Sequence, residues 1–186
     1  MIIAFVSLSL LHETAEARRR GRGEIYVGGG LFREINAYKI DSNESNFAGW
    51  GAAGVVGMEF ELSGDIGFMI EGEYTRHEML NALQSTTYLE KATNTAMIGK
   101  AGLFYGVLGI GVGLAKNRID IDNVQSNSNG IRTSYDGLTY QVFGQLTLPA
   151  ENKMRTVIEG KYGMGTIGGM TYSELQIGLR LYFIPF

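Results

Sequence analysis

The chain has 186 residues, enough for one domain and too few for two ordinary ones. With 45% hydrophobic and 19% charged residues it is neither a disordered tail nor a bundle of membrane helices. A net charge of −3 gives no reason to expect a nucleic-acid partner, and the absence of Cys excludes thiol catalysis, Cys-ligated zinc and disulfides.

Glycine is abundant, at 27 residues, yet there are only 2 prolines and no Gly-X-Y repeat. Collagen and flexible-linker readings therefore fail. What remains is a Gly- and aromatic-rich all-β domain.

The first element is an address. Ile2 to Leu11 is an apolar run, followed by the small-residue pattern Ala15-Glu16-Ala17. This predicts a secretory signal peptide over residues 1–17, too short to span a bilayer as a helix. No Lys or Arg precedes the run, which an upstream start codon would explain. Arg18, Arg19, Arg20 and Arg22 then form a basic segment, 18–23, ahead of the main domain, 24–186.

From residue 24 onward the signal is period two, which marks strands with two different faces. In chain order the runs are Glu24–Phe32, Trp50–Leu62, Ile66–Tyr74, Asn94–Leu103, Val107–Ala115, Leu138–Leu148, Arg155–Met164 and Leu175–Phe183. In each run one face is apolar and uncharged. The other faces collect Glu59, Glu61, Glu71, Glu73, Lys100, Glu159, Lys161 and Arg180. Connections alternate between tight ones (Ser63–Asp65, Phe104–Gly106, Pro149–Lys153) and longer polar ones (Arg33–Gly49, Arg76–Thr93, Lys116–Asp136, Gly165–Tyr172). Eight strands, short periplasmic turns and long outer loops are the layout of a transmembrane antiparallel β-barrel. The apolar face then meets lipid and the charged face fills the lumen.

The sequence at this point resembles the small OmpA/OmpX-like and opacity-type outer-membrane β-barrel families, also called porin-like. The matching words are EIYVGGGLF, GMEFELSGDIGFMIEGEY, LGIGVGLA, TYQVFGQLTL and SELQIGLRLYF. The resemblance implies a Gram-negative outer-membrane location and a non-enzymatic surface role, adhesive or envelope-structural, exercised through outer loops. It also implies lipid and lipopolysaccharide neighbours and a barrel-assembly machinery that reads the last strand. Leu175, Ile177, Leu179, Leu181 and Phe183 match that assembly signal, whereas the terminal Phe186 falls out of phase after Pro185.

The charged lumen has two readings. It is either a salt-bridged plug or a narrow cation-preferring channel, and an eight-stranded interior just wide enough to be filled favours the plug. Trp50, Tyr74, Tyr105, Tyr140, Tyr162 and Tyr172 are expected as interfacial aromatic girdles. His77, in Thr75-Arg76-His77-Glu78, is the one feature that suggests a lipid-modifying hydrolase, but no Ser with a supporting motif lies near it. A solvated His at a loop base is expected instead.

Gly163–Gly168 matches a dinucleotide fingerprint in letters only, because no helix follows. Asp120 and Asp122 open like a calcium loop, but Val124 stands at the third ligand position, so no metal or cofactor is expected. Gly109, Gly111 and Gly113 are read as room for bulky lumen neighbours.

Overall fold

The structure, a computed structural model, describes residues 23–40, 43–63, 65–81, 89–124, 131–148 and 153–184. The expected signal peptide, the basic segment up to Arg22, and Phe186 lie outside these residues.

Period-two patterning becomes eight strands: β1 (Glu24–Ile40), β2 (Asn43–Ser63), β3 (Ile66–Asn81), β4 (Leu89–Tyr105), β5 (Leu108–Val124), β6 (Ile131–Leu148), β7 (Met154–Ile167) and β8 (Met170–Phe183). Each pairs antiparallel with its sequence neighbour, and β1 pairs with β8, so the sheet closes as a barrel. The closing seam runs from Val27 opposite Phe183 to Lys39 opposite Thr171. Closure leaves no edge strand with unpaired backbone groups.

The two faces are inverted relative to a soluble barrel. Ile110 is 69% exposed on the outside, and Val112, Val142, Ile177 and Leu179 are exposed elsewhere on the same outer wall, while Glu71 is 2% exposed inside. The outer belt begins at Leu62, Ile66, Tyr105, Leu108, Met154 and Phe183, all exposed. It contains no charged side chain until Arg33, Arg76, Lys116 and Asp136. An uncharged apolar belt around a charged interior suits hydrocarbon outside and polar pairing inside.

The polar connections differ from the sequence expectation. Strands of 14 to 21 residues replace much of the loops expected at Arg33–Gly49, Arg76–Thr93, Lys116–Asp136 and Gly165–Tyr172. About 10 residues suffice to cross a bilayer. The ladder continues above the belt because main-chain pairing does not depend on side-chain polarity. Gly165–Tyr172 shrinks to a two-residue hairpin turn in which Gly168 and Gly169 have φ of 58° and 83°. Positive φ at both central residues is what a type I′ turn needs, and glycine adopts it without strain.

Val112→Arg places a cation on the lipid face of β5 and should cost about 2–4 kcal/mol of folding free energy in bilayers. Reversible denaturant unfolding in vesicles measures this, and an unchanged or raised stability would reverse the inside–outside assignment.

Candidate functional site

The inward side chains of the eight strands stack in tiers. At the tight-turn end, Arg155 of β7 lies 2.7 Å from Glu59 and also pairs with Glu24. Tyr26 and Tyr182 stack above them with ring centroids 4.7 Å apart. Val55, Val157 and Ile184 complete this apolar floor. Glu61 lies apart from Arg155 and Glu59, beside the irregularity at the end of β2, and its Oε2 has no hydrogen-bond partner among the described residues.

The middle tier is ionic. Glu71 and Glu73 of β3, Lys100 of β4, Glu159 and Lys161 of β7, and Arg180 of β8 meet in one cluster, all buried. Lys100 Nζ lies 3.0 Å from both Glu73 and Glu159 and also contacts Glu71. Arg180 reaches Glu73 at 2.7 Å, Glu159 at 2.8 Å and Glu71 at 3.2 Å. Lys161 reaches Glu73 at 2.8 Å. Three acids face three bases, so the tier is neutral as a set. Tyr26 and Tyr182 hydroxyls donate to the remaining oxygen of Glu71 at 2.8 and 3.0 Å. Buried charge is tolerable only when paired and hydrogen-bonded in this way.

Glycines make the space. A Cβ on Gly109 would meet Gln145 at 2.7 Å, and one on Gly111 would meet Phe143 at 2.5 Å. On Gly113 it would approach Lys100 at 3.1 Å. Small residues on one strand thus admit long ones from its neighbours.

Above the ions lies a second polar tier that the sequence reading missed. His77 is 1% exposed and its Nε2 lies 2.7 Å from Glu34. This corrects the expectation of a solvated His: β3 continues to Asn81, and position 77 shares inward parity with 71, 73 and 75. Tyr172 is also buried, which removes it from the girdle set. The outward residues of β8 are odd-numbered, so Tyr172 points into the lumen. Its hydroxyl lies 2.8 Å from Glu174 and 3.2 Å from Glu34, and accepts from Asn94 at 3.1 Å. Gln141 donates to Glu174 and Gln176 to Glu34. Glu34 and Glu174 were legible in principle, since both keep the inward parity of their strands. Both stand just outside the runs Glu24–Phe32 and Leu175–Phe183, where the clear alternation stops although β1 and β8 continue.

The uppermost tier is apolar. Phe47, Met79, Ala92, Ile119, Ile167 and Met170 pack over Tyr172. These inward residues lie within or beside the segments expected to be loops.

Outside, Trp50, Tyr74, Tyr105, Tyr140 and Tyr162 are exposed, as are Leu175, Ile177, Leu179, Leu181 and Phe183 on β8. Arg33 stacks on Trp50 with its guanidinium 5.5 Å from the ring. Higher up, Lys91 pairs with Glu78 at 2.8 Å, and this hydrogen bond and charge hold the Glu78 carboxyl below its usual range.

No protein-family model matches the chain, and no curated protein matches it by sequence. Solved structures do match. Ail, the attachment invasion locus protein of Yersinia pestis, superposes with a TM-score of 0.54 at 12% identity, over 87% of this chain and 99% of Ail. Ail in complex with the heparin analogue sucrose octasulfate gives 0.51 at 15% identity over the same shares. Neisserial surface protein A gives 0.51 at 12% identity, over 88% of this chain and 99% of its own. The fold is that of a small outer-membrane β-barrel. Identities this low carry the architecture and nothing finer.

The ionic tier can be probed directly. Lys100→Met leaves three carboxylates facing two cations and should cost about 3–5 kcal/mol. Adding Glu159→Gln restores neutrality and should recover much of that loss, as read by unfolding in detergent or vesicles. Equal stability of the single and double variants would contradict the balance.

Proposed function

We propose that this chain is a non-enzymatic outer-membrane surface protein, exported by a cleaved signal peptide, whose lumen is a structural plug. In this reading the outer end of the barrel is the working part, in an adhesive or envelope-structural role. The observation that carries it is the filling of the interior. An apolar floor, a neutral ionic cluster, a hydrogen-bonded polar tier and an apolar lid succeed one another along the axis. Such a lumen supports neither steady ion flow nor substrate access.

The strands that rise above the belt then act as a rigid stand for the outer segments. Rigid scaffolds commonly place binding residues on the segments they display. The last strand, ending its outward series at Phe183, would be the part read during assembly. Ail binds a polysulfated sugar, so sucrose octasulfate is the first soluble probe for the outer end.

The competing channel reading would need a continuous wet path past Phe47, Met79 and Ile119. A hydrolase would need His77 accessible, and it is enclosed against Glu34. Reconstituted in planar bilayers, the protein should give no steady conductance; reproducible single-channel steps would favour the pore. Deleting residues 82–88 and 125–130 should abolish surface binding while leaving the folded barrel's faster migration in unboiled gels. Binding that survives both deletions would place the contact elsewhere.

A further inference from the structure

The polar tier above the ionic cluster does not balance its charges. Glu34 of β1 and Glu174 of β8 are 0% and 2% exposed, and His77 of β3 is the one basic group in contact with either among the described residues. Lys161, the inward residue of β7 opposite Gln176, is already held by Glu73 at 2.8 Å. β4 and β6 bring Asn94 and Gln141, and β2 and β5 bring Gly51 and Asn117, none of which titrates. Two buried carboxylates beside one imidazole leave at least one negative charge unmatched. A buried site of this kind is relieved by taking up a proton.

The hydrogen bonds around Tyr172 account for that proton. Tyr172 Oη accepts from Asn94 at 3.1 Å, and lies 2.8 Å from Glu174 Oε2 and 3.2 Å from Glu34 Oε1. A phenol has one hydrogen to give, so it bonds one of the two carboxylate oxygens and turns a lone pair to the other. Both contacts are satisfied only when one carboxyl carries a hydrogen of its own. Glu34 also lies 2.7 Å from His77 and accepts from Gln176, whereas the other donor to Glu174 is the Gln141 amide. Glu34, with a base beside it, keeps its charge, and the proton falls to Glu174.

We propose that Glu174 is a proton-binding site: at neutral pH its carboxyl donates to Tyr172, Tyr172 donates to Glu34, and Glu34 faces His77. The proton comes from solvent and returns to it. Its loss at higher pH leaves two buried carboxylates joined through one hydroxyl, and their repulsion draws water between the ionic cluster and the apolar lid. The outer half of the plug is thereby closed by acid and loosened by alkali, while the ionic tier below keeps its own balance. This holds whatever the outer segments bind.

Infrared spectroscopy of the full chain refolded in detergent tests this. At neutral pH the wild type should show the carbonyl band of a protonated carboxyl, and Glu174→Gln should lack it. Glu59→Gln, which alters the floor at the other end, should keep it. Tyr172→Phe removes the acceptor of the proton and should shift or remove the band, which covers the case in which Glu174→Gln does not fold. The folded state binds one more proton than the unfolded chain, whose Glu side chains ionise near pH 4.3, so above about that pH folding weakens as pH rises. The wild-type folding equilibrium constant should fall by up to about tenfold more per pH unit than that of Glu174→Gln, until the band disappears. No carboxyl band at neutral pH, a band untouched by both variants, or parallel pH profiles would each overturn the site.

Discussion

Closure of the sheet is the constraint on which the rest of the molecule depends. A strand in hydrocarbon has no water to satisfy its N–H and C=O groups, so β1 must find β8. Once that seam is made, every residue is assigned to one of two surfaces by parity alone. The lipid-facing set is then free to be Leu, Ile, Val, Met and aromatic. The inward set must fill a cylinder too narrow for bulk water.

That filling explains the pairing of opposites around the barrel wall. Lys100 reaches across the lumen to Glu159, and Arg180 to Glu71 and Glu73, so the ionic cluster ties β3, β4, β7 and β8 together across the axis. A cluster of this kind need not add net stability over an apolar core. It does penalise register slips, because a one-residue shift of any participating strand turns its charges to the lipid. Glycines on β5 and elsewhere complete the arrangement by yielding their volume to the long side chains opposite.

The chemistry of the outer end follows from how far the strands continue. Within the belt, the solvent dictates which face is apolar. Above it, both faces meet polar surroundings or packed side chains, and the outward positions turn to Arg, Lys, Thr, Ser and Asp. The inward positions there become apolar, as at Phe47, Met79 and Ile119. The rule that polar residues face inward therefore holds only over the belt. It fails above it, where polar outward positions give the continuing strands the composition of loops.

Strand number, antiparallel order, the apolar exterior and the ionic residues at 71, 73, 100, 159, 161 and 180 were legible in the sequence, because alternation is a local property set by the pleat. Phe186 and the expected signal peptide lie outside the described residues. Strand ends, by contrast, depend on whether a neighbour remains in register, which no single segment records. Tyr172 and His77 illustrate this: each has the composition of a strand end or loop base, yet continued pairing carries each into the lumen. The grouping of Glu34, His77, Tyr172 and Glu174, and the separation of Glu59 and Glu61 from the central cluster, were decided only by tertiary structure. Residues on one inward face are sorted into tiers by their height along the barrel axis. That height follows from the cumulative register of eight strands, a long-range quantity that local patterning does not contain.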